Sequence, residues 1–174
     1  MTETPTTPPP GPPERFAFLS PGGADATAIW RSPLERALAH APPEVSDASL
    51  TGALEVRGEI DELEPEGFEL VRVTPNRGLV LCDFTKTGQI RERLEQRFLV
   101  IDLSAGLAGL QVRGETLMRR LTDLDLDSLP AAGAVAHVQA YVLRDERETF
   151  RLFFPQEYGD YLAEVVVDAA EGIR

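Results

Sequence analysis

The sequence has one cysteine, two histidines and no long hydrophobic run, and each shortage excludes a class of protein. Cys82 is the single cysteine among 174 residues, so no disulfide forms within the chain, a usage that favours the cytoplasm. No stretch reaches the roughly 18 apolar residues of a membrane span, so none is predicted. The first residues, MTETPTTPPPGPPE, lack the basic start and apolar core of a secretory signal.

The chain is strongly acidic. It carries 29 acidic and 17 basic side chains, a net charge of −12, which argues against binding to nucleic acid or to an anionic membrane surface. Residues 55–69 hold a net −6, whereas residues 72–97 hold a net +3. We expect the acidic segment to be a solvated connection that orients a basic surface of a partner.

Proline dominates the N-terminal region. Six of the first 13 residues are proline, so residues 1–13 are predicted to be a disordered, extended tail. Residues 14–174 are predicted to form a single α+β domain.

Hydrophobic periodicity indicates short strands interrupted by helices. Ser32-Pro33-Leu34-Glu35 is typical of a capping box and predicts a helix to about His40. Alternating apolar residues predict strands near 54–56, 68–71, 79–82, 98–103, 107–112, 135–143 and 149–154. The 3.6-residue period predicts helices at about 88–96, 115–121 and 158–169.

The chain shows signs of an internal duplication. ALEVRGE (53–59) and GLQVRGE (109–115) share five of seven residues at an offset of 56. Further along, Gly88 aligns with Gly159 and Leu81 with Leu152 at an offset of 71. The sequence therefore predicts two related β(α)ββα halves, 45–97 and 98–174, in a mostly antiparallel, ferredoxin-like α+β fold with helices packed on the sheet. In the first half the acidic stretch 59–67 takes the place of one helix.

Residue types that carry catalysis or bind metals are sparse. His40 and His137 belong to no ligand-spaced cluster, and His137 is expected in a strand as a core or edge residue. Cys82 lies among apolar residues, where a thiol is usually inert. Asp102 has two interpretations, a buried acid with a shifted pKa or a cap for the turn at 104–106. The sequence predicts no catalytic residue and no metal site, and it does not identify cofactor-binding residues.

The second half carries patterns of a known family. FLVIDLSAGLAGLQVRGE, LMRRLTDLDLDSLPAAG and FRLFFPQEYGDYLAEVVVDAAE follow one another between Phe98 and Glu171. Together they resemble the gamma subunit of heterotetrameric sarcosine oxidase. More broadly, they are similar to the folate-binding aminomethyltransferase-like superfamily, which includes the glycine-cleavage T-protein. The strand AHVQAYVLRDE lacks the paired aspartates that hold the catalytic carboxylate in the T-protein.

The resemblance implies a non-catalytic accessory subunit of an oxidoreductase complex that demethylates sarcosine. It implies no cofactor on this chain, with FAD, FMN, NAD and tetrahydrofolate held by partner chains, and larger flavoprotein subunits as partners. Phe153, Phe154, Tyr158 and Tyr161 are the candidate interface residues, because aromatic side chains are enriched at interface cores. The alternative is that all four close the domain's own core.

Two other functions fit the same sequence. One is a stand-alone folate-binding protein of one-carbon transfer, because the superfamily includes such enzymes. The other is an interaction module in which the proline-rich tail recruits the partner.

Overall fold

The fold is seen in a computed structural model, which describes residues 31–146 and 148–173; the predicted tail at 1–13 lies outside these ranges. The strands are β1 (Val45–Asp47), β2 (Thr51–Arg57), β3 (Glu69–Thr74), β4 (Arg77–Asp83), β5 (Leu99–Asp102), β6 (Leu107–Arg113), β7 (Ala131–Val135), β8 (Val138–Glu146) and β9 (Thr149–Pro155). The helices are α1 (Thr87–Glu95), α2 (Glu115–Leu121) and α3 (Gly159–Glu171). Single turns of 3-10 helix lie at Ile60–Glu62, Phe84–Lys86, Leu126–Ser128 and Gln156–Tyr158.

The strands form two antiparallel sheets. The first has the order β3-β4-β2-β5, and the second has the order β1-β6-β9-β8-β7. Apolar residues of α1 pack on the first sheet, and those of α2 and α3 pack on the second. The predicted α+β class, with helices packed on antiparallel sheets, is confirmed.

Strand periodicity distributes the apolar residues among three cores. In β2, Leu54 and Val56 face α1, whereas Ala53 points to the opposite side of the sheet. There Ala53 joins Val71, Leu79 and Leu81 of the first sheet and Leu143 and Phe153 of the second. The two sheets therefore pack face to face around this middle core, with a helix layer on each outer side.

Strand register supports the predicted duplication and corrects one of its offsets. Ala53 pairs with Leu81 in β2–β4, and Gly109 pairs with Phe153 in β6–β9. These pairs are equivalent when β2 and β6 are offset by 56 and β4 and β9 by 72. The predicted offset of 71, which matched Leu81 to Leu152, was therefore wrong by one residue, because identical letters in two short strands do not define their pairing.

The halves exchange one short strand each. β1 precedes the first sheet but pairs with β6, where Val45 lies opposite Val112. β5 follows residue 97 but pairs with β2, where Val100 lies opposite Val56. The sheets thus do not divide at the predicted boundary between residues 97 and 98.

One predicted helix is absent from the structure, and two strands of the structure were not predicted. Residues 33–40 form consecutive turns instead of an α-helix, with only the Leu38 N–H to Leu34 O bond (2.9 Å) of α type. The segment is short and ends against Pro42, which limits helix propagation. Strands β1 and β7 were not predicted. The segment VSD has only 3 residues, and AAGAV has a single β-branched residue and no aromatic residue.

His137 lies in the tight turn between β7 and β8, exposed to solvent, and not in a strand as expected. Ala136 and His137 have φ angles of 45° and 69°. A two-residue hairpin turn of type I′ has positive φ at both positions, and the usual Asn-Gly signal is missing here.

Candidate functional site

The four aromatic residues expected at a partner interface are separated by burial. Phe153 is 2% exposed and Phe154 is fully buried, whereas Tyr158 and Tyr161 are each 47% exposed. Alternation along β9 directs Phe153 into the middle core and Phe154 towards the helices. The two phenylalanines therefore close the chain's own core, and of the four residues only the two tyrosines lie at the surface.

Tyr158 and Tyr161 lie at the start of α3, beside an acidic surface. The Tyr161 hydroxyl donates a hydrogen bond to the Ala136 carbonyl at 3.2 Å. Further along the same exposed side follow Glu164, Asp168 and Glu171, and α3 contains no basic residue. We call Tyr158, Tyr161, Glu164, Asp168 and Glu171 the α3 face.

The α3 face is electrostatically unfavourable for an isolated helix. Asp168 and Glu171 lie in its last turn, where the helix dipole favours cations. A positively charged surface placed against these carboxylates would offset the unfavourable interaction of their charges with the helix dipole. Aromatic side chains such as Tyr158 and Tyr161 are enriched at protein-binding surfaces.

Asp102 is a turn cap. Its Oδ1 accepts a hydrogen bond from the Ser104 N–H at 2.9 Å, and the residue is exposed at the end of β5. Of the two interpretations drawn from the sequence, the capping role is confirmed.

Glu55 is a buried carboxylate that the sequence placed in the solvated acidic segment. It is 4% exposed and faces the middle of the molecule from β2. Arg57 Nε donates to Glu55 Oε1 at 2.6 Å, and Arg77 donates to Glu55 Oε2 at 2.6 and 2.9 Å. Burial opposes ionisation, but the hydrogen bonds from Arg77 and Arg57 outweigh it and hold the pKa of Glu55 below its usual value.

Two further residues of the acidic segment, Glu62 and Glu66, contact the basic segment of the same chain. Arg97 donates to Glu62 at 3.0 Å, and Arg93 donates to the Glu66 carbonyl at 2.6 Å. The ion pairs of Arg93 with Glu66 and of Arg97 with Glu62 therefore compensate part of the acidic charge of 59–67 within the chain. Orientation of a basic partner by this segment stays a prediction.

An open cavity of about 680 Å³ lies at one end of the first sheet. Leu50 and Phe84 line it and are 56% and 43% exposed. Its one lining arginine, Arg151, donates to Glu69 at 2.7 Å and to Asp145 at 2.5 Å. Arg151 thus connects the two sheets, and its charge is balanced by two carboxylates.

Cys82 fits the inert interpretation. Burial raises the pKa of its thiol, and its Sγ lies 3.9 Å from the Thr87 hydroxyl. Across residues 31–146 and 148–173, no three His, Cys, Asp or Glu side chains lie close enough together to hold a metal ion. Among the helices of the same ranges, none has the length and hydropathy of a membrane span.

Comparison with solved structures identifies the fold. The chain superposes on a chain of the heterotetrameric sarcosine oxidase of Corynebacterium sp. U-96 with a TM-score of 0.66 and 16% identity, covering 83% of this chain and 96% of that one. The fold is that of this oxidase chain. A second similar structure is glycine cleavage system aminomethyltransferase T of Bartonella henselae, with a TM-score of 0.52 and 16% identity.

The two superpositions differ in how much of the other chain they cover. This chain spans 52% of the aminomethyltransferase chain but nearly the whole of the oxidase chain. At 16% identity these likenesses establish the aminomethyltransferase-like fold and leave the activity to other arguments. No family model matches the sequence, and no curated protein matches it.

Burial is the property that sequence reasoning missed most clearly. Glu55 belongs to an acid-rich stretch, yet its strand position points it into the molecule. Leu99 and Ile101 belong to an apolar strand, yet they are 61% and 36% exposed. The duplication gives no signal for the burial of Glu55, because Gln111 at the equivalent position of β6 is exposed.

Proposed function

We propose that the chain is a non-catalytic, gamma-type accessory subunit of a sarcosine oxidase-like complex, where it acts in assembly and stability. The observation that carries this proposal is the superposition on 96% of one chain of a heterotetrameric enzyme. A likeness that extends over nearly the whole length of one subunit favours the role of a subunit.

Several features of the chain support a role without catalysis. The one cysteine thiol is buried with a raised pKa, and the Glu55 carboxylate is engaged by two arginines. The Asp102 carboxylate caps the turn at 104–106 by accepting from the Ser104 N–H. In this proposal the flavins, NAD and tetrahydrofolate are bound by larger flavoprotein subunits, which are the partners of this chain.

The α3 face is the surface we assign to the larger subunit. Tyr158 and Tyr161 supply exposed aromatic area, and the acidic residues that follow favour a basic surface on the partner. The expected contact is rich in arginine or lysine on the partner's side.

Co-expression tests the proposal. The chain is produced with candidate flavoprotein subunits encoded near it, and a stable complex with sarcosine oxidase activity is expected. Replacing Tyr158 by Ser should weaken co-purification about tenfold, since exposed aromatics anchor interfaces. Tyr161→Phe is the matched control, because it removes only the hydroxyl that bonds Ala136. A monomer that purifies alone, with sarcosine oxidation intact in cells lacking the gene, would refute the proposal.

A second candidate, a stand-alone folate-binding protein of one-carbon transfer, draws on the likeness to the aminomethyltransferase and on the open cavity. A cavity of about 680 Å³ is in the range of small-molecule sites. Calorimetry with tetrahydrofolate decides between the two functions. Saturable heat that Phe84→Ser removes would favour the second candidate, and absence of heat at high micromolar ligand would eliminate it.

A further inference from the structure

The edge of the first sheet at β5 exposes apolar side chains. Leu99 is 61% exposed and Ile101 is 36% exposed, and both point away from α1, while Val100 between them is buried. In the described part of the chain, Leu99–Asp102 pairs with β2 on one side and with no strand on the other. An unprotected apolar edge favours pairing with a further strand. We call Leu99–Asp102 and the neighbouring Arg57 the β5 edge.

The internal duplication provides a control for this exposure. Val100 pairs with Val56 and Val45 pairs with Val112, so β1 is the equivalent of β5 in the other half. At the positions equivalent to Leu99 and Ile101, β1 and the residue before it have Glu44 and Ser46. The fold is therefore built with polar residues at these places in one half, and apolar residues there are not a requirement of the architecture.

Backbone groups of β5 also point outward. The Leu103 N–H donates to the Ala53 carbonyl at 2.8 Å, so this N–H points towards β2, whereas the Leu103 carbonyl accepts from the turn at Gly106. In antiparallel strands the bonding direction alternates between successive residues, so the N–H and C=O groups of Val100 and Asp102 point away from β2. An added strand would bond these four groups.

A positive charge lies next to the apolar pair. Arg57 lies opposite Leu99 on β2 and its side chain is 51% exposed. Arg57 and Arg77 share the single carboxylate of Glu55, which leaves a positive charge in excess at this place in a chain of net charge −12. Two strand spacings, about 10 Å, separate Arg57 from a strand added beyond β5, a distance that two long side chains bridge.

We propose that the β5 edge binds an extended segment of a partner protein by strand addition. The segment places apolar side chains on Leu99 and Ile101 and a carboxylate towards Arg57. This surface is distinct from the α3 face and does not depend on the proposed function.

A second copy of the chain fits this surface less well. Symmetric pairing about Val100 would put Ile101 of the copy opposite Leu99, so no carboxylate would face Arg57. Two chains of net charge −12 also repel each other.

The test uses the full chain and a defined peptide probe. The probe is a blocked heptapeptide with threonine at odd positions, valine at the second and sixth, and glutamate at the fourth. Amide chemical shifts are followed during titration, and the shifts of Val100 and Asp102 are expected to change and saturate. The matched probe carries glutamine at the fourth position.

Variants of the chain separate the apolar and charged parts. The double variant Leu99→Thr with Ile101→Thr should weaken binding on the order of tenfold, because it removes the apolar contact. Arg57→Gln should weaken the glutamate probe about threefold and leave the glutamine probe unchanged. Leu50→Thr, at an equally exposed leucine outside the β5 edge, is the control and should change nothing.

Three results would overturn the proposal. The first is an absence of shift changes at Val100 and Asp102 with millimolar peptide. The second is equal binding by the Leu99→Thr, Ile101→Thr variant, with unchanged melting temperature showing that it is folded. The third is a dimer in analytical ultracentrifugation that this variant abolishes, which would assign the β5 edge to a second copy.

Discussion

The Ser49 hydroxyl bridges both backbone groups of Gly109, accepting from its N–H at 3.0 Å and donating to its C=O at 3.3 Å. Ser104 makes the equivalent contacts with Ala53, at 3.0 and 3.4 Å. Each serine follows an aspartate that accepts its N–H, Asp47 or Asp102, and each lies where the chain passes from one sheet to the other. The two crossings are thus built from the same Asp-x-Ser unit.

Removing either hydroxyl should destabilise the fold. Ser49→Ala is expected to lower the free energy of unfolding by about 1–3 kcal/mol, because Ser49 is buried and its loss leaves Gly109 with a weaker hydrogen-bonding environment. Ser104→Ala should cost less, since Ser104 is only half-buried. Urea denaturation measures both. Ser46→Ala, at an exposed position of β1, is the control, and equal effects of all three changes would contradict the role of the crossings.

Two glycines should respond in opposite directions to a methyl group. A Cβ at Gly109 would lie 2.6 Å from the Ala48 carbonyl oxygen and 3.0 Å from the Phe153 ring, so Gly109→Ala should destabilise by about 2 kcal/mol or more. A Cβ at Gly88 in α1 meets nothing within 4 Å, so Gly88→Ala should stabilise by about 0.5–1 kcal/mol through helix propensity. Thermal unfolding followed by circular dichroism compares the two, and a tolerated Gly109→Ala would show that the crossing is looser than described.

The Glu55 ion pairs should make stability depend on acid pH. The folded state lowers the pKa of Glu55, so its contribution is complete above the ordinary glutamate value and is lost as pH falls through the folded one. Glu55→Gln should destabilise by about 1–2 kcal/mol at pH 7. The difference in unfolding free energy between Glu55→Gln and the natural protein should shrink below about pH 4, and denaturation at several pH values measures it.

An exposed ion pair supplies the control for Glu55. Arg91 donates to Glu95 at 2.7 Å on the outside of α1. Glu95→Gln should leave the free energy of unfolding nearly unchanged, because exposed ion pairs contribute little. If Glu95→Gln and Glu55→Gln lower the free energy of unfolding equally, burial of the Glu55 carboxylate does not determine its contribution to stability.

Substitutions in the β7–β8 turn should increase the stability of the protein. Ala136 and His137 both have positive φ, which Asn and Gly adopt more easily. Ala136→Asn with His137→Gly is expected to raise stability by about 0.5–1 kcal/mol. Ala136→Val, which introduces a β-branched residue at positive φ, should lower it, and thermal unfolding distinguishes the two directions.

Local pattern was enough to predict most elements of this fold. Residues 115–121 were expected as a helix and form α2, and the strand near 107–112 appears as β6. These segments carry their own apolar period, so neighbours along the chain specify them. Strand β7 carries a weak local signal, whereas at 33–40 a capping-box pattern predicted a helix and the chain forms turns; local pattern failed at both places.

The candidate surfaces depended on information that is not local. The sequence named Phe153, Phe154, Tyr158 and Tyr161 together as aromatic residues, and only their strand and helix positions separated the buried pair from the exposed pair. Leu99 and Ile101 belong to the predicted strand near 98–103, and only the order of the sheet shows that this strand, β5, lies at an edge.

By itself, the sequence determined the α+β class and the duplication, because periodicity and repeated segments are properties of the chain alone. Only the tertiary structure decided which side chains see solvent. In it, β1 and β5 each pair with a strand of the other half, and Glu55 forms ion pairs with Arg57 and Arg77. Leu99 and Ile101 are exposed. The reason is that burial depends on which strands pair and which sheet faces meet, and those contacts join residues far apart in the chain.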